Sequence, residues 1–267
     1  MASLCLVHLL WGPFGPEAAA RFGAAYRAVD PGVEHRFVTV YNGFRDGVDA
    51  ARDALGVPAD QEVHIDGRVQ DLVAYRRALD AVPCERVAFV NSWAEPLVDG
   101  WLARLVAALD APGVGIAGCT GSWESPAKEA PPHLKLHRRR LFPPFPNPHI
   151  RTNAWAIGAE LARSLDWDVG RRKVTAEALE SGKRGLTRQV QARGLRPVVV
   201  SRRGLVEVDD WPEARVYRSG DQEELLVRDN RTRQYDDADP RRRAALARMA
   251  WGDRAVVSQA CLRRRRP

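Results

Sequence analysis

Short apolar runs alternate with amphipathic stretches through the first half of the chain. Apolar or β-branched residues dominate positions 4–9, 36–41, 62–65, 86–91 and 114–118, and runs of this length are typical of strands. Apolar residues recur at helical spacing over 17–29, 69–79 and 101–109, and Asp99 is the expected N-cap of the last of these helices. This alternation predicts βαβ units and an α/β fold with a mainly parallel sheet.

The pattern changes at position 123. Residues 123–150 contain seven prolines and few periodic apolar positions, which predicts a long proline-rich loop. Regular structure is expected again at 152–157, with helices near 159–165, 186–192 and 240–251 and a strand at 196–200. We therefore expect a single domain built from two halves, 1–122 and 123–252, followed by a basic, flexible tail at 253–267.

The composition is that of an ordinary globular protein. The chain has 267 residues, 45% of them hydrophobic and 28% charged, which excludes a collagen-like or mainly disordered chain. No apolar run approaches the roughly 18 residues that span a bilayer, and the start shows no signal-peptide pattern, so a cytoplasmic protein is expected. The widely spaced Cys5, Cys84, Cys119 and Cys261 predict reduced thiols rather than a zinc site or disulfides.

The net charge of +7 comes from arginine, since only four of the 41 basic residues are lysine. Arginines 263–266 supply four of these charges and predict a solvated tail. This tail suggests at most a peripheral contact with an anionic membrane. The sequence contains no zinc finger, RNP-like motif or basic heptad, so no nucleic-acid partner is expected. An arginine-rich nucleic-acid binder is the weakest alternative.

Polar residues follow three predicted strands at the point where each strand ends. Asn42 follows the second strand, Asp66 the third, and Asn91, Ser92 and Glu95 the fourth. Ligands of open α/β sheets bind at this edge, so a polar pocket is expected there. The alternative for Asn42 and Asp66 is turn formation with the glycine that follows each. Neither G-x-G-x-x-G nor a P-loop pattern occurs, which argues against a dinucleotide or P-loop site.

Several segments resemble bacterial glycosyltransferases of the GT-A fold, of the family two-like type. The first half contributes LVHLLWGPFGPEAAARF, HIDGRVQDLVAYRRAL, RVAFVNSWAEPLVDGWLARLVAAL and PGVGIAGCTGSWES, and the second half contributes PNPHIRTNAWAI and ALESGKRGLTRQVQARGLRPVVVSRRG. The resemblance covers 3–252. It implies a Rossmann-like mixed sheet flanked by helices, with the nucleotide sugar held by 1–122 and the acceptor by 123–252. The implied reaction moves a sugar from a nucleoside diphosphate sugar to a hydroxyl of a glycan, lipid-linked or small-molecule acceptor.

The resemblance also implies contacts to the donor. Asp66 and Asp71 stand where such enzymes contact the nucleoside, and an acidic side chain accepts hydrogen bonds from ribose hydroxyls or a base N–H. Asn42 is expected to line the base pocket. The alternative for Asp71 is a structural acid in the first turn of a helix. Further donor contacts are expected from Asn91, Ser92, Arg151, Asn153 and Arg188.

The expected metal motif is altered in this chain. Such enzymes usually carry Asp-x-Asp after the fourth strand, whereas here Trp93 stands at the first Asp and Glu95 at the second. Glu95 could hold Mg²⁺ or Mn²⁺ together with substrate phosphates and water. The equal alternative is metal-independent binding, in which arginines or backbone N–H groups neutralise the diphosphate.

The expected catalytic base is altered as well. Inverting transfer needs a carboxylate that takes the proton of the acceptor hydroxyl, and the family usually carries it in a Glu-Asp pair heading a helix. The matching position reads Glu180-Ser181, so Glu180 is the expected base. Asp209 and Asp210 are the alternatives for base or metal ligand. Because two usual acids are replaced, a non-catalytic nucleotide-sugar-binding protein is the alternative function.

Overall fold

A mixed eight-stranded sheet lies at the centre of the computed structural model, which describes residues 2–45, 47–128, 131–167 and 173–256. Cys261 and the arginines at 263–266 lie outside the described residues. The strands are β1 (Ala2–Trp11), β2 (Arg36–Asn42), β3 (Gln61–Ile65), β4 (Cys84–Val90), β5 (Glu95–Pro96), β6 (Val114–Gly118), β7 (Gly121–Ser122), β8 (His149–Ile150), β9 (Ala154–Gly158), β10 (Arg196–Ser201), β11 (Gly204–Val206) and β12 (Val227–Arg228).

The spatial order of the large sheet is β3, β2, β1, β4, β9, β6, β10, β11. The pairs β3–β2, β2–β1, β1–β4 and β6–β10 are parallel, whereas β9 runs antiparallel to both of its neighbours and β11 antiparallel to β10. The predicted mixed, mainly parallel sheet is therefore confirmed. The short strands β5 and β12 pair with each other, as do β7 and β8.

Helices cover both faces of this sheet. They are α1 (Gly15–Ala28), α2 (Asp49–Leu55), α3 (Asp71–Ala81), α4 (Trp101–Ala107), α5 (Lys135–Leu141), α6 (Ala159–Ser164), α7 (Lys173–Ser181), α8 (Leu186–Gln191), α9 (Asn230–Asp236) and α10 (Pro240–Trp251). On one face α1, α2 and α4 form a hydrophobic cluster that includes Phe22 and Trp101, and on the other α3, α6 and α8 form a cluster that includes Tyr75 and Trp155. No helix among the described residues has the length and apolar character needed to cross a bilayer.

The structure corrects three details of the sequence prediction. The proline-rich stretch is not only a loop, because it contains a 3₁₀ turn at Pro132–Leu134 and helix α5. Asp99 does not cap α4: Gly100 is the N-cap, with φ of 71°, and the Asp99 carboxylate instead accepts the backbone N–H of Asp30 at 2.8 Å. Helices α2, α7 and α9 were not predicted from the sequence.

The strand order reverses beside β1, and this reversal positions the site. From β1 the chain builds β2 and β3 on one side and then returns to place β4 on the other. A crevice forms at such a switch point, outside the carboxyl ends of the strands. Ser92, just after β4, joins the two strand ends, because its hydroxyl donates to the Leu9 carbonyl (2.7 Å) and accepts from the Trp11 backbone N–H (2.9 Å).

His8 is a polar residue inside the apolar layer formed by α1. Its ring lies fully buried in β1 and stacks on Phe22, with the ring centroids 3.6 Å apart. Neither ring nitrogen has a hydrogen-bond partner among the described residues. Burial lowers the pKa of His8 from 6.5 to about 3, so the folded protein holds this ring neutral.

This burial makes the stability of the fold sensitive to acid. Below pH 6.5 His8 is protonated in the unfolded chain, whereas in the folded chain it stays neutral down to about pH 3. The free energy of unfolding therefore decreases as the pH falls from 6.5 to about 3. From pH 7 to pH 5 the loss should be about 2 kcal/mol. Urea unfolding of His8→Phe should show a pH dependence smaller by that amount. Identical pH dependence in the two proteins would contradict the assignment.

Candidate active site

Two neighbouring cavities share one wall. The first, of about 400 Å³, lies at the ends of β1 and β4 and is called the switch-point cavity. The second, of about 420 Å³, lies under the proline-rich segment and is called the loop cavity. Arg151, Glu180 and Arg231 line both cavities. A molecule bound in either cavity therefore meets the same three side chains.

Half of the residues predicted for the site line the switch-point cavity. The structure brings them together from segments far apart in the chain: they are Asp71, Asn91, Ser92, Arg151, Asn153 and Glu180. Asn91 and Ser92 arrive there because they follow β4, and Asp71 because it begins α3 after β3. Trp11, Phe14 and Trp93 add an aromatic part to the wall, in which the Phe14 and Trp93 rings lie 5.0 Å apart.

Three residues predicted to contact the donor lie outside both cavity walls. The buried Asn42 amide donates to the Val69 carbonyl (2.9 Å) and accepts from the Val69 N–H (3.1 Å), so it shapes the segment that leads into α3. Asp66 is exposed in the turn after β3. Arg188 donates to the Asn147 side-chain oxygen at 3.1 Å. In this geometry Asn42 and Arg188 support loops rather than line either cavity.

The alternative acids Asp209 and Asp210 also lie apart from the cavities. Both are exposed in the 3₁₀ helix Val208–Glu213, and neither lines the walls that Glu180 lines. The same short helix buries Trp211, whose indole N–H donates to the Val206 carbonyl at 3.1 Å. The packing of Trp211 thus fixes this helix while its acids face solvent.

The position expected for a metal carries a salt bridge instead. The Glu95 carboxylate accepts from Arg233 at 2.6 Å and lies 3.5 Å from the Arg21 guanidinium. Trp93, at the other motif position, packs in the aromatic wall. Within the part of the chain that the structure describes, no group of three or more His, Cys, Asp or Glu side chains could hold a metal ion. The side chains present do not fit a divalent cation at this strand end.

A buried ion pair joins the shared wall to α9. Arg151 donates to Asp229 at 2.9 Å, and these side chains are 12% and 1% exposed. Asp229 is also the N-cap of α9, where its other oxygen accepts the N–H groups of Arg231 (3.0 Å) and Thr232 (2.7 Å). Burial opposes its ionisation, but Arg151 and the Thr232 N–H lower the pKa of Asp229, so it stays charged.

Asp229 was not predicted from the sequence as a member of the site. The signal present was local: an Asp three residues before a Thr at a helix start is a capping pattern. That pattern predicts the helix end. It does not predict the ion pair with a residue 78 positions away along the chain.

Glu180 lies near the end of α7, not at the head of a helix as expected from the resemblance. One carboxylate oxygen, Oε1, accepts from the Thr152 backbone N–H (2.9 Å) and hydroxyl (3.2 Å). The other oxygen has no hydrogen bond to any described residue. Asp71 lies in the same cavity wall, and its side chain is exposed to the cavity. The surrounding protein nevertheless desolvates the carboxyl and raises the pKa of Asp71, and the negative charge of Glu180 raises this pKa further. Two carboxylates therefore line one cavity.

The loop cavity has a polar and charged wall. His149 is buried there, and its Nδ1–H donates to the Asn147 carbonyl at 2.8 Å, which leaves Nε2 as an acceptor. Burial lowers the pKa of His149, so the ring is neutral. Glu124 accepts from Arg218 and, at 3.3 Å, from the Tyr217 hydroxyl. Glu124 and Arg218 were not singled out from the sequence, because nothing local marks them.

Comparison with known proteins identifies the fold. No family model matches the chain, and no curated protein matches it. Among solved structures, the mannosyltransferase PcManGT from Pyrobaculum calidifontis, solved with GDP-Man and Mn²⁺, matches at a TM-score of 0.51 and 16% identity. The match covers 80% of this chain and 60% of that one, so this chain spans about 60% of the length of that enzyme. At this identity the likeness shows the fold alone, and the fold is GT-A, as expected from the resemblance.

A weaker likeness exists to glucosyl-3-phosphoglycerate synthase from Mycobacterium tuberculosis, solved with Mn²⁺, UDP and glucosyl-3-phosphoglycerate. It has a TM-score of 0.40 and 19% identity, and covers 61% of this chain and 59% of that one.

Removing the charge of Asp229 should destabilise the protein. Asp229→Asn keeps an amide oxygen for the cap of α9 but leaves Arg151 buried without its counterion, and we expect a loss of about 3 kcal/mol in the free energy of unfolding. The matched control is Asp49→Asn, which breaks an exposed pair with Arg52 and should change stability little. Urea denaturation measures both. Equal effects of the two substitutions would show that Arg151 does not require Asp229 as its counterion.

Proposed function

We propose that this protein transfers a sugar from a nucleoside diphosphate sugar in the switch-point cavity to a hydroxyl of an acceptor in the loop cavity. The observation that carries the proposal is the placement of Glu180 in the wall that the two cavities share. A base for group transfer must reach the acceptor oxygen while that oxygen faces the donor. The GT-A fold supports the same reaction class. We also propose that the protein is cytoplasmic.

The switch-point cavity offers the chemistry to hold a nucleoside and a sugar. Its aromatic wall provides flat surfaces on which a base or sugar ring can pack. Asp71 faces the cavity as an acceptor for ribose or sugar hydroxyls. The side-chain nitrogen of Asn153 is buried without a partner among the described residues and so lacks an acceptor, which a ligand oxygen would supply.

We propose that arginines, rather than a metal ion, balance the charge of the diphosphate. The Pyrobaculum enzyme was solved with Mn²⁺. In this chain, however, Trp93 and the salt-bridged Glu95 replace the usual metal-binding acids. Arg231 lines both cavities, is exposed, and has no partner for its guanidinium among the described residues. Arg151 lies in the same wall and can donate further hydrogen bonds, although Asp229 already balances its charge. Guanidinium groups bind phosphate oxygens through paired, charge-assisted hydrogen bonds.

The chemical step follows from this arrangement. Thr152 fixes Glu180 through one carboxylate oxygen, and the free oxygen accepts the proton of the acceptor hydroxyl. The acceptor oxygen attacks the anomeric carbon, the bond from that carbon to the diphosphate breaks, and the nucleoside diphosphate leaves. A direct displacement inverts the anomeric centre. The neutral His149 offers its Nε2 as an acceptor to a second hydroxyl, which would orient the acceptor.

Glu180→Gln should abolish most turnover while leaving donor affinity nearly unchanged. The amide cannot take the proton, and a positioned base contributes about 10²–10⁴-fold to the rate. A thermal-shift panel of UDP, GDP, dTDP and CDP sugars first identifies the donor, and release of nucleoside diphosphate in the presence of candidate acceptors then measures turnover. Asp209→Asn and Asp210→Asn are matched controls and should retain full activity.

Three outcomes separate the alternatives. No binding of any nucleoside diphosphate, with or without Mn²⁺, overturns the proposal. Normal turnover by Glu180→Gln removes that residue from the role of base. Intact nucleotide binding without release of nucleoside diphosphate across many acceptors favours the non-catalytic alternative, which the replacements at Trp93 and Ser181 motivate.

Donor binding should depend on Arg231 and not on divalent metal. We expect Arg231→Gln to weaken nucleoside diphosphate binding by about 10–100-fold, the contribution of a charge-assisted hydrogen bond. Arg241→Gln, on the exposed start of α10, should have no effect. Isothermal titration with and without EDTA tests the metal. A loss of binding in EDTA that Mn²⁺ restores would contradict arginine-based neutralisation.

A further inference from the structure

The segment that covers the loop cavity carries unpaired positive charge. Residues 131–150 contain no Asp or Glu, yet they include Lys135 and the arginines at 138–140 in α5. Arg138 is ion-paired with Glu177. Lys135, Arg139 and Arg140 are exposed, and none forms an ion pair with a described residue. This helix therefore presents a positive surface that no acid of the described chain neutralises.

Exposed aliphatic side chains lie among these charges. Leu136 is 67% exposed, more than any other large hydrophobic side chain that the structure describes, and Leu134 is 40% exposed. Water contact with these side chains is unfavourable, so a partner that covers them gains free energy. Helices that lie in the interface of an anionic membrane typically combine cationic residues with aliphatic ones, as this segment does.

An apolar groove of about 660 Å³ runs beside the same helix. Its apolar part is lined by the buried Ala127 and Phe142 and by the more open Pro144 and Phe145, and its charged part by Lys128, Lys135 and Arg139. The Lys128 ammonium lies 4.3 Å from the centre of the Phe145 ring. The groove thus combines an apolar surface with three cations, which matches a molecule with a hydrocarbon chain and an anionic head.

We propose that this surface, formed by Lys128, Leu134, Lys135, Leu136 and Arg139 and here called the α5 surface, docks the protein on an anionic lipid membrane. Charge complementarity identifies the partner, because lipid phosphates meet the cations while the leucines enter the acyl boundary. A nucleic acid would satisfy the cations alone and leave Leu136 and the apolar groove uncovered. The α5 surface lies within the described chain and is distinct from the arginine tail at 263–266.

The location of this surface has a consequence for the acceptor. Leu134 also lines the loop cavity, and so does Arg138, which lies in α5 itself. Docking through the α5 surface would therefore set the loop cavity next to the membrane, where a lipid-linked hydroxyl could enter it. The docking inference itself does not depend on the proposed reaction, and it is tested without any sugar donor.

Vesicle flotation with the full chain tests the α5 surface. The protein should bind vesicles of phosphatidylcholine with phosphatidylglycerol and not vesicles of phosphatidylcholine alone. Each cation removed should lower partition about fivefold, so Lys135→Gln with Arg139→Gln should lower it about 30-fold. Leu136→Ser should lower it roughly tenfold by removing an inserted side chain. The matched control, Arg77→Gln with Arg241→Gln, removes two exposed charges elsewhere and should bind as the unaltered protein does.

Other outcomes overturn the proposal. Binding that is lost when glutamines replace the arginines at 263–266, but is unchanged by the α5 substitutions, would assign docking to the tail. Binding to duplex DNA that the α5 substitutions abolish, with no vesicle binding, would make the surface a nucleic-acid site. No vesicle binding by the unaltered protein ends the proposal, whereas thermal shifts with nucleotide sugars separately decide the proposed reaction. Thermal unfolding of each variant checks that it is folded.

Discussion

The buried ion pair between Arg151 and Asp229 is the interaction on which the site depends. It links the segment after β8 to the first turn of α9, so two parts of the chain that share no strand pairing meet at one wall. The same two segments carry Thr152, which fixes Glu180, and Arg231, which faces both cavities. A buried pair of this kind contributes little net free energy to folding, but breaking it leaves a charge without a partner. Its effect here is geometric, because it fixes one arrangement of the side chains in the wall that the two cavities share.

The electrostatics of the two cavities differ in a way that suits a transfer reaction. The switch-point cavity holds two facing carboxylates, and their repulsion contributes to the raised pKa of Asp71. The proposed sugar donor would relieve that repulsion, because its hydroxyl groups could donate hydrogen bonds to both acids. The loop cavity instead holds His149 as a neutral acceptor and pairs its acids with arginines. Glu180 is thus the carboxylate common to both spaces, and its free oxygen has no competing donor among the described residues.

The sequence predicted the fold and part of the candidate site, for separate reasons. Apolar periodicity located the strands of the sheet. The rule for strand ends predicted Asn91 and Ser92 at a polar pocket; both line the switch-point cavity, and their contact with a donor stays a prediction. The same rule failed for Asn42, because its amide satisfies the backbone of Val69 and a sequence pattern cannot show which partner an amide chooses. Glu180 came from the resemblance, and its role stays a prediction. Asp229 could not be predicted from the sequence as a site residue, because its local pattern indicates only a helix cap. Its part in the site comes from the ion pair with Arg151, which is distant along the chain.

The residues at the expected metal motif and the arginines near them both bear on how the charge of a diphosphate could be balanced. An Asp-x-Asp pair binds a cation because two unpaired carboxylates need positive charge, and the cation then accepts the diphosphate. Here the indole of Trp93 removes one of those carboxylates, and Arg233 already supplies the positive charge that Glu95 needs. A divalent ion at this strand end would have to displace that arginine from a carboxylate only 14% exposed. The exposed guanidinium of Arg231, which the cap of α9 holds at the cavity wall, needs no such displacement, and for this reason we propose Arg231 rather than a metal ion as the group that meets the diphosphate.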